Sequence, residues 1–204
     1  MAPLSYLALG DSYTIGEGVD PAGRWPVQLA AALRQAGIAL AEPRIVATTG
    51  WTTDELAAAM DAAEPLGAWD FVSLLIGVNN QYRGRGVDDY ADGFARLLRR
   101  AVALAGGRAD RVLVLSIPDW GTTPFAAASG RDRRAIAAEL DAYNATARGL
   151  CAAAGVAFVD ITGISRAADA ASLLVEDGLH PSAAQYARWA DAALPVARAL
   201  LSGG

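Results

Sequence analysis

The chain contains no lysine: all 17 basic residues are arginines, scattered along its length. That excludes any mechanism that needs a lysine amine. The scatter also leaves no basic face for a nucleic-acid partner, and the net charge of −5 points the same way. Cysteine is nearly absent. Cys151 stands alone in the helical run Leu150-Cys-Ala-Ala-Ala154, so neither an intramolecular disulfide nor a thiolate zinc cluster can form, and the residue reads as small core filling. His180 is the single histidine, which excludes a multi-histidine metal site; no metal and no cofactor is expected. Long apolar runs are missing as well. Arg, Asp, Glu or Gly interrupts every hydrophobic stretch, so no membrane span is expected. The start, Met1-Ala-Pro, leads directly into a strand with neither a basic nor a leader-length apolar segment, and a cytoplasmic location is the expectation.

What is present describes a globular domain. The 204 residues are 53% hydrophobic and 19% charged, enough for one sizeable core and short for two. Strand-like and helix-like segments alternate five times without a linker, which predicts a single domain over residues 1–204. The strands fall at 4–9, 44–47, 70–76, 111–117 and 156–161, and the intervening stripes predict helices after each. The expected architecture is a three-layer α/β/α sandwich on a five-stranded parallel sheet. Right-handed crossovers make the flavodoxin-like order 2-1-3-4-5 the natural arrangement. Residues 81–86 and 122–130 read as loops, Thr53 or Asp54 as the cap of the second helix, and Pro195 as a kink in the last one. Asn144 reads as a passive helical residue, Asp11 as a backbone brace, and Asp119 as a residue without a task.

Chemistry is expected at the carboxyl ends of the strands. There the first strand stops at Gly10-Asp11 and Ser12 follows on the turn, a position that suits a nucleophile. Taken alone, Gly-Asp-Ser is only a good turn sequence. With strand 1 between strands 2 and 3, however, the loops holding Ser12, Gly50 and Asn79 become neighbours. The final turn, Asp177-Gly-Leu-His180, has only to fold over the same edge. A serine hydroxyl needs a base, and imidazole is the side chain that titrates nearest neutrality. A carboxylate three residues earlier can hold its tautomer. The Ser12 N–H, the Gly50 N–H and the Asn79 amide can serve as donors to an oxyanion. Each has a plainer reading: a turn brace for Asn79, a positive φ for Gly50, a helix-entry turn for the histidine. Trp51, Tyr82, Trp120 and Phe125 all fall on carboxyl-end loops as candidates to line an acyl pocket.

At these residues the chain resembles the SGNH (GDSL) hydrolases, named for a serine in a Gly-Asp-Ser block, a glycine, an asparagine and a histidine. The blocks stand here as Gly10-Asp-Ser12, Gly50, Gly77-Val-Asn79 and Asp177-Gly-Leu-His180, in order and each after its strand. The resemblance spans nearly the whole chain. It implies Ser12 as nucleophile, His180 as base, Asp177 as its orienter, and Ser12, Gly50 and Asn79 as the oxyanion hole. Two positions depart from the pattern. Tyr13 stands where the family's short name has leucine, and Asn80 where aspartate is usual, which bears on the hydrogen bonding of that loop. The implied activity is hydrolysis of short or medium acyl esters, small-molecule substrates, through an acyl-enzyme. Acyl thioesters, lysophospholipids and acetylated carbohydrates are the variants. The rival from another class is a non-catalytic flavodoxin-like binding protein, against which the two acids in the first loop argue.

Overall fold

The opening apolar run forms β1 (Tyr6–Gly10), every residue of it buried, in a computed structural model that describes residues 2–203. It is followed by a single helical turn, α1 (Ser12–Ile15), then α2 (Trp25–Gln35), β2 (Arg44–Ala47), α3 (Thr53–Ala62) and β3 (Phe71–Leu75). Next come α4 (Val78–Tyr82), α5 (Val87–Leu104), β4 (Val112–Leu115), α6 (Pro124–Ala128) and α7 (Arg133–Ala154). The chain closes with β5 (Ala157–Val159), α8 (Thr162–Ser165) and α9 (Ala183–Ser202). The five strands are parallel, in the order β2-β1-β3-β4-β5. Helices α2 and α9 pack on each other on one side, and α5 packs with α3 and α7 on the other. The three central strands, covered on both faces, are wholly buried, which is why they read as continuous apolar runs and not as alternating ones.

The register sets where the site can be. Gly10, the last residue of β1, lies opposite Ala47 of β2 and Leu75 of β3, so three strands end at one level. A side chain at Gly10 would put its Cβ 2.5 Å from the Leu75 carbonyl oxygen, so only glycine fits. Gly77 meets a double demand. Its φ of 129° is left-handed, and a Cβ there would lie 2.9 Å from Ile117 Cδ1.

Several local readings change. The segment 122–130 is not structureless: Thr123 Oγ1 accepts the Ala126 N–H at 3.1 Å, and Pro124 opens α6. A capping hydroxyl followed by proline is a helix-start signal carried by very few residues. Residues Val78–Tyr82, at the start of the predicted 81–86 loop, form α4. The cap of α3 is Thr52, whose N–H donates to Glu55 at 2.9 Å in a capping box, one residue ahead of Thr53 and two ahead of Asp54. Helix α9 spans Ala183–Ser202, as expected, with Pro195 inside it. Asn144 is far from passive. Its amide accepts from Ile117 N–H at 2.8 Å and donates to Ile117 C=O at 2.9 Å, bracing the chain as it leaves β4.

Asp11 joins β1 to α1. It is fully buried, and its Oδ1 accepts the Tyr13 N–H at 3.1 Å, while Oδ2 has no partner among the described residues. Burial pushes its carboxyl up to about 7; the backbone N–H groups of Tyr13, Asp11 itself and Gly77 offset only part of that. Such a group holds its proton more tightly folded than unfolded. Its contribution to stability is therefore full on the acid side and lost as pH climbs from the ordinary value to the folded one. We expect wild-type stability, measured by denaturant titration, to fall relative to Asp11→Asn by about 1.4 kcal/mol per pH unit across that interval. The difference should level off above about pH 7.

Candidate active site

Ser12 is the first residue of α1, two residues beyond the end of β1, with Asp11 between them as the cap. Only 4% of the residue is exposed, and among the described residues its hydroxyl has no hydrogen-bond partner. That exposed sliver borders a cleft of about 180 Å³ whose walls include Gly50, Asn79, Tyr82, Phe125 and His180. The cleft thus lies over the carboxyl ends of β1, β2 and β3.

His180 reaches the cleft from a turn pinned on two sides. The Val175 N–H donates to His180 C=O at 2.9 Å and the Ser182 N–H to Leu173 C=O at 2.8 Å, fastening both limbs of the turn together. Asp177 organises what lies between them. Its Oδ1 accepts the N–H groups of Leu179 and His180 at 2.8 and 2.9 Å, while Oδ2 meets His180 Nδ1 at 2.5 Å. Burial raises the Asp177 carboxyl, but the imidazole and the two backbone donors outweigh it and hold the group below its usual range. An ionised carboxylate against Nδ1 fixes the tautomer with its proton there, and Nε2 is left as the free acceptor. The Tyr13 ring packs edge-on against the imidazole, centroids 5.9 Å apart, and edge-on against Trp189 behind it at 5.8 Å. The structure makes no Ser12–His180 hydrogen bond; both residues face the same cleft. In unliganded sites such bonds often tighten only when substrate is bound.

Gly50 and Asn79 come from the loops after β2 and β3. Gly50 has φ 90°, and a Cβ there would meet only Arg83 Nη2, at an unstrained 3.9 Å, so its glycine requirement is conformational and not steric. Asn79 stands in the first turn of α4, and one of its amide hydrogens is spent on Trp51 C=O at 2.9 Å. The other remains available to the cleft. The neighbouring Asn80 is fully buried, accepting the Thr53 N–H at 3.0 Å and donating to Thr53 Oγ1 at 2.9 Å. A neutral amide both accepts and donates at this point, and it avoids burying a charge.

Of the four candidate lining aromatics, three meet. Tyr82, Trp120 and Phe125 form a mutual cluster with centroids 5.4 to 6.4 Å apart, all on the cleft wall. Trp120 is held by donation from its Nε1 to Gln81 Oε1 at 2.8 Å, and Gln81 in turn donates to Glu139 at 2.6 Å. Trp51 is the exception: its ring packs against the hydrophobic core, and only its carbonyl serves the site. Asp119, unassigned from sequence, accepts the Gly121 N–H and pairs with Arg166 at 2.8 Å, and so anchors the segment that carries Trp120. Sequence reading also missed Tyr13, Thr49, Val78 and Leu179 as lining residues. Each sits beside a motif residue, which was the available signal. Among the described residues no group of three His, Cys, Asp or Glu side chains is placed to hold a metal ion, and no helix is long and apolar enough to cross a membrane.

Comparison with known proteins bears on the fold and the family. The fold is shared with TesA at 19% identity and TM-score 0.73, covering 97% of this chain and 99% of that one. An acetyl-xylooligosaccharide esterase from Geobacillus Stearmophilus, in a mutant form, is 18% identical with TM-score 0.71 over 96% and 94% of the two chains. A lipase/acylhydrolase from Enterococcus faecalis is 19% identical with TM-score 0.67 over 98% and 97%. No curated protein matches at significant sequence similarity. The family model of the GDSL-like lipases/acylhydrolases matches residues 8–188, a span running from within β1 to within α9. The chain belongs to the GDSL-like lipase/acylhydrolase family.

Proposed function

We propose that this hydrolase cleaves carboxylic esters of short or medium acyl groups, with Ser12 as nucleophile, His180 as general base and acid, and Asp177 as the carboxylate that orients it. The observation that carries the reading is a single cleft bordered by an uncommitted serine hydroxyl and by an imidazole whose Nδ1 is engaged by a carboxylate at 2.5 Å. His180 Nε2 takes the hydroxyl proton as Ser12 Oγ bonds to the acyl carbon. The carbonyl oxygen becomes an oxyanion facing the N–H of Ser12, the N–H of Gly50 and the free amide hydrogen of Asn79. As the tetrahedral species collapses, the bond to the alcohol oxygen breaks and the imidazolium protonates the departing alcohol. Water, deprotonated by the same imidazole, then attacks the acyl-enzyme and releases the acid, returning the proton to Ser12. Asp177 stays ionised throughout and stabilises the imidazolium.

The acyl group is assigned to the wall of Tyr82, Trp120 and Phe125. At about 180 Å³ the cleft is below the roughly 300–1,000 Å³ of sites that take drug-sized ligands, which favours short chains.

The test is hydrolysis of aryl acetate, butyrate and octanoate. We expect Ser12→Ala and His180→Ala to lower kcat by at least about 10³-fold while circular dichroism stays unchanged. Asp177→Asn, which keeps an oxygen for the two backbone donors, should lose activity to a similar degree because the imidazole adopts the wrong tautomer. An equally active Ser12→Ala would overturn the assignment. Removing the ring in Phe125→Ala should raise kcat/KM for octanoate relative to acetate by about 10-fold, the low end of what one methylene is worth in an apolar pocket. An unchanged ratio would place the acyl group elsewhere.

A further inference from the structure

The loop that carries Gly50 has little of its own to hold it. Gly50 is left-handed, the one atom a Cβ there would meet is Arg83 Nη2 at 3.9 Å, and the local backbone bond, Trp51 N–H to Thr48 C=O, is long at 3.3 Å. A glycine has the widest choice of backbone conformations of any residue. Yet a donor aimed at an oxyanion is effective only if it is already in place when charge develops. Apart from the Thr49 hydroxyl, which donates to Glu17, what fixes the loop comes from one turn of helix α4 and its cap. At one end of that turn Asn79 donates to Trp51 C=O at 2.9 Å. At the other end, four residues on, Arg83 donates from Nη2 to Gly50 C=O at 2.6 Å. The second arm of the same guanidinium, Nη1, reaches Glu55 at 3.1 Å, and Glu55 is the residue that accepts the Thr52 N–H in the α3 capping box. Arg83 is itself positioned by its backbone, whose N–H donates to Asn79 C=O at 3.0 Å.

We infer that Arg83 is a positioning residue for the oxyanion hole: its forked guanidinium clamps the Gly50 carbonyl between α4 and the start of α3 and thereby holds the Gly50 N–H toward the cleft. The inference rests on the ester-hydrolase reading given above. The fork matters because a planar guanidinium can satisfy a carbonyl and a carboxylate at once in a fixed relation, whereas an ammonium acts as a single point charge. The clamp also couples the two donors that do not belong to Ser12. Asn79 and Arg83 grip consecutive carbonyls of one loop from a single helical turn, so displacement of one is felt by the other. Surface pairs of this exposure contribute little to global stability, and Arg83 is half exposed, so its removal should act on the geometry of the loop and not on the fold.

The experiment measures kcat and KM on an aryl acetate for the wild type, Ser12→Ala, Arg83→Ala, Arg83→Lys, Asn79→Ala and the Arg83→Ala/Asn79→Ala pair, with thermal unfolding of each. The expected result is a fall in kcat of about 10-fold in Arg83→Ala, smaller than the roughly 10²–10³-fold cost of deleting an oxyanion donor outright. KM and unfolding temperature should be unchanged. Arg83→Lys should recover only part of the loss. Free guanidinium ion below denaturing concentration should restore part of the activity of Arg83→Ala and none of that of Asn79→Ala. The double variant should be less impaired than the product of the single losses, as for residues that serve one oxyanion site. An Arg83→Ala enzyme with wild-type kcat, or one that changes only KM, overturns the inference while leaving the hydrolase reading intact. A wild type inert on the ester, or as active without Ser12, overturns that reading and this inference with it.

Discussion

Gly10 pairs with Ala47 on one side and Leu75 on the other, and that register is the constraint on which the site depends. Because three parallel strands end level, the loops that follow them begin at one height and over adjoining strands. No side chain fits at Gly10 to push those loops apart. The rest is the satisfaction of backbone groups as the chain leaves the sheet. Asp11 caps the turn after β1, Thr52 and Glu55 cap the helix after β2, and Asn144 holds both polar groups of Ile117 beyond β4. Function is assembled from the same bonds that close the sheet's edge.

Two aspartates near the catalytic candidates show how environment divides one residue type between tasks. Asp11 is sealed from solvent and has one oxygen unpartnered, so burial governs it and its proton affinity rises. Asp177 is also partly buried, yet two backbone donors and the imidazole outweigh that burial, and its affinity falls. The first is suited to cap a turn as a neutral or marginally ionised group. The second is suited to remain an anion beside a cation.

The sheet order and the meeting of Ser12, Gly50, Asn79 and His180 at one edge were legible because they follow from local signals. Each βα unit announces itself over a short window, and parallel topology then restricts the arrangement. What was illegible depends on partners distant in the chain. Asn144 looks idle until Ile117, 27 residues away, lies against it, and Asp119 until Arg166 does, 47 residues on. The displacement of Trp51 from the aromatic wall has the same origin, since its ring could join either the cleft or the core and packing decided. Asn80 illustrates the limit differently. Its departure from the usual aspartate was visible, but the reason was not, because Thr53 supplies both an N–H to accept and a hydroxyl to receive.

The absence of lysine acquires a meaning at the Gly50 loop. As pH rises, lysine ammonium begins to lose its charge well before guanidinium does. With Arg83 on Gly50 and Glu55, and Arg85 on Asp54 beside it, the surface ties around this loop are of a kind that alkali leaves intact. Acid is the side from which they come undone, by protonation of Asp54 and Glu55, whose carboxyls the Arg85 guanidinium and the Thr52 N–H hold below their ordinary range.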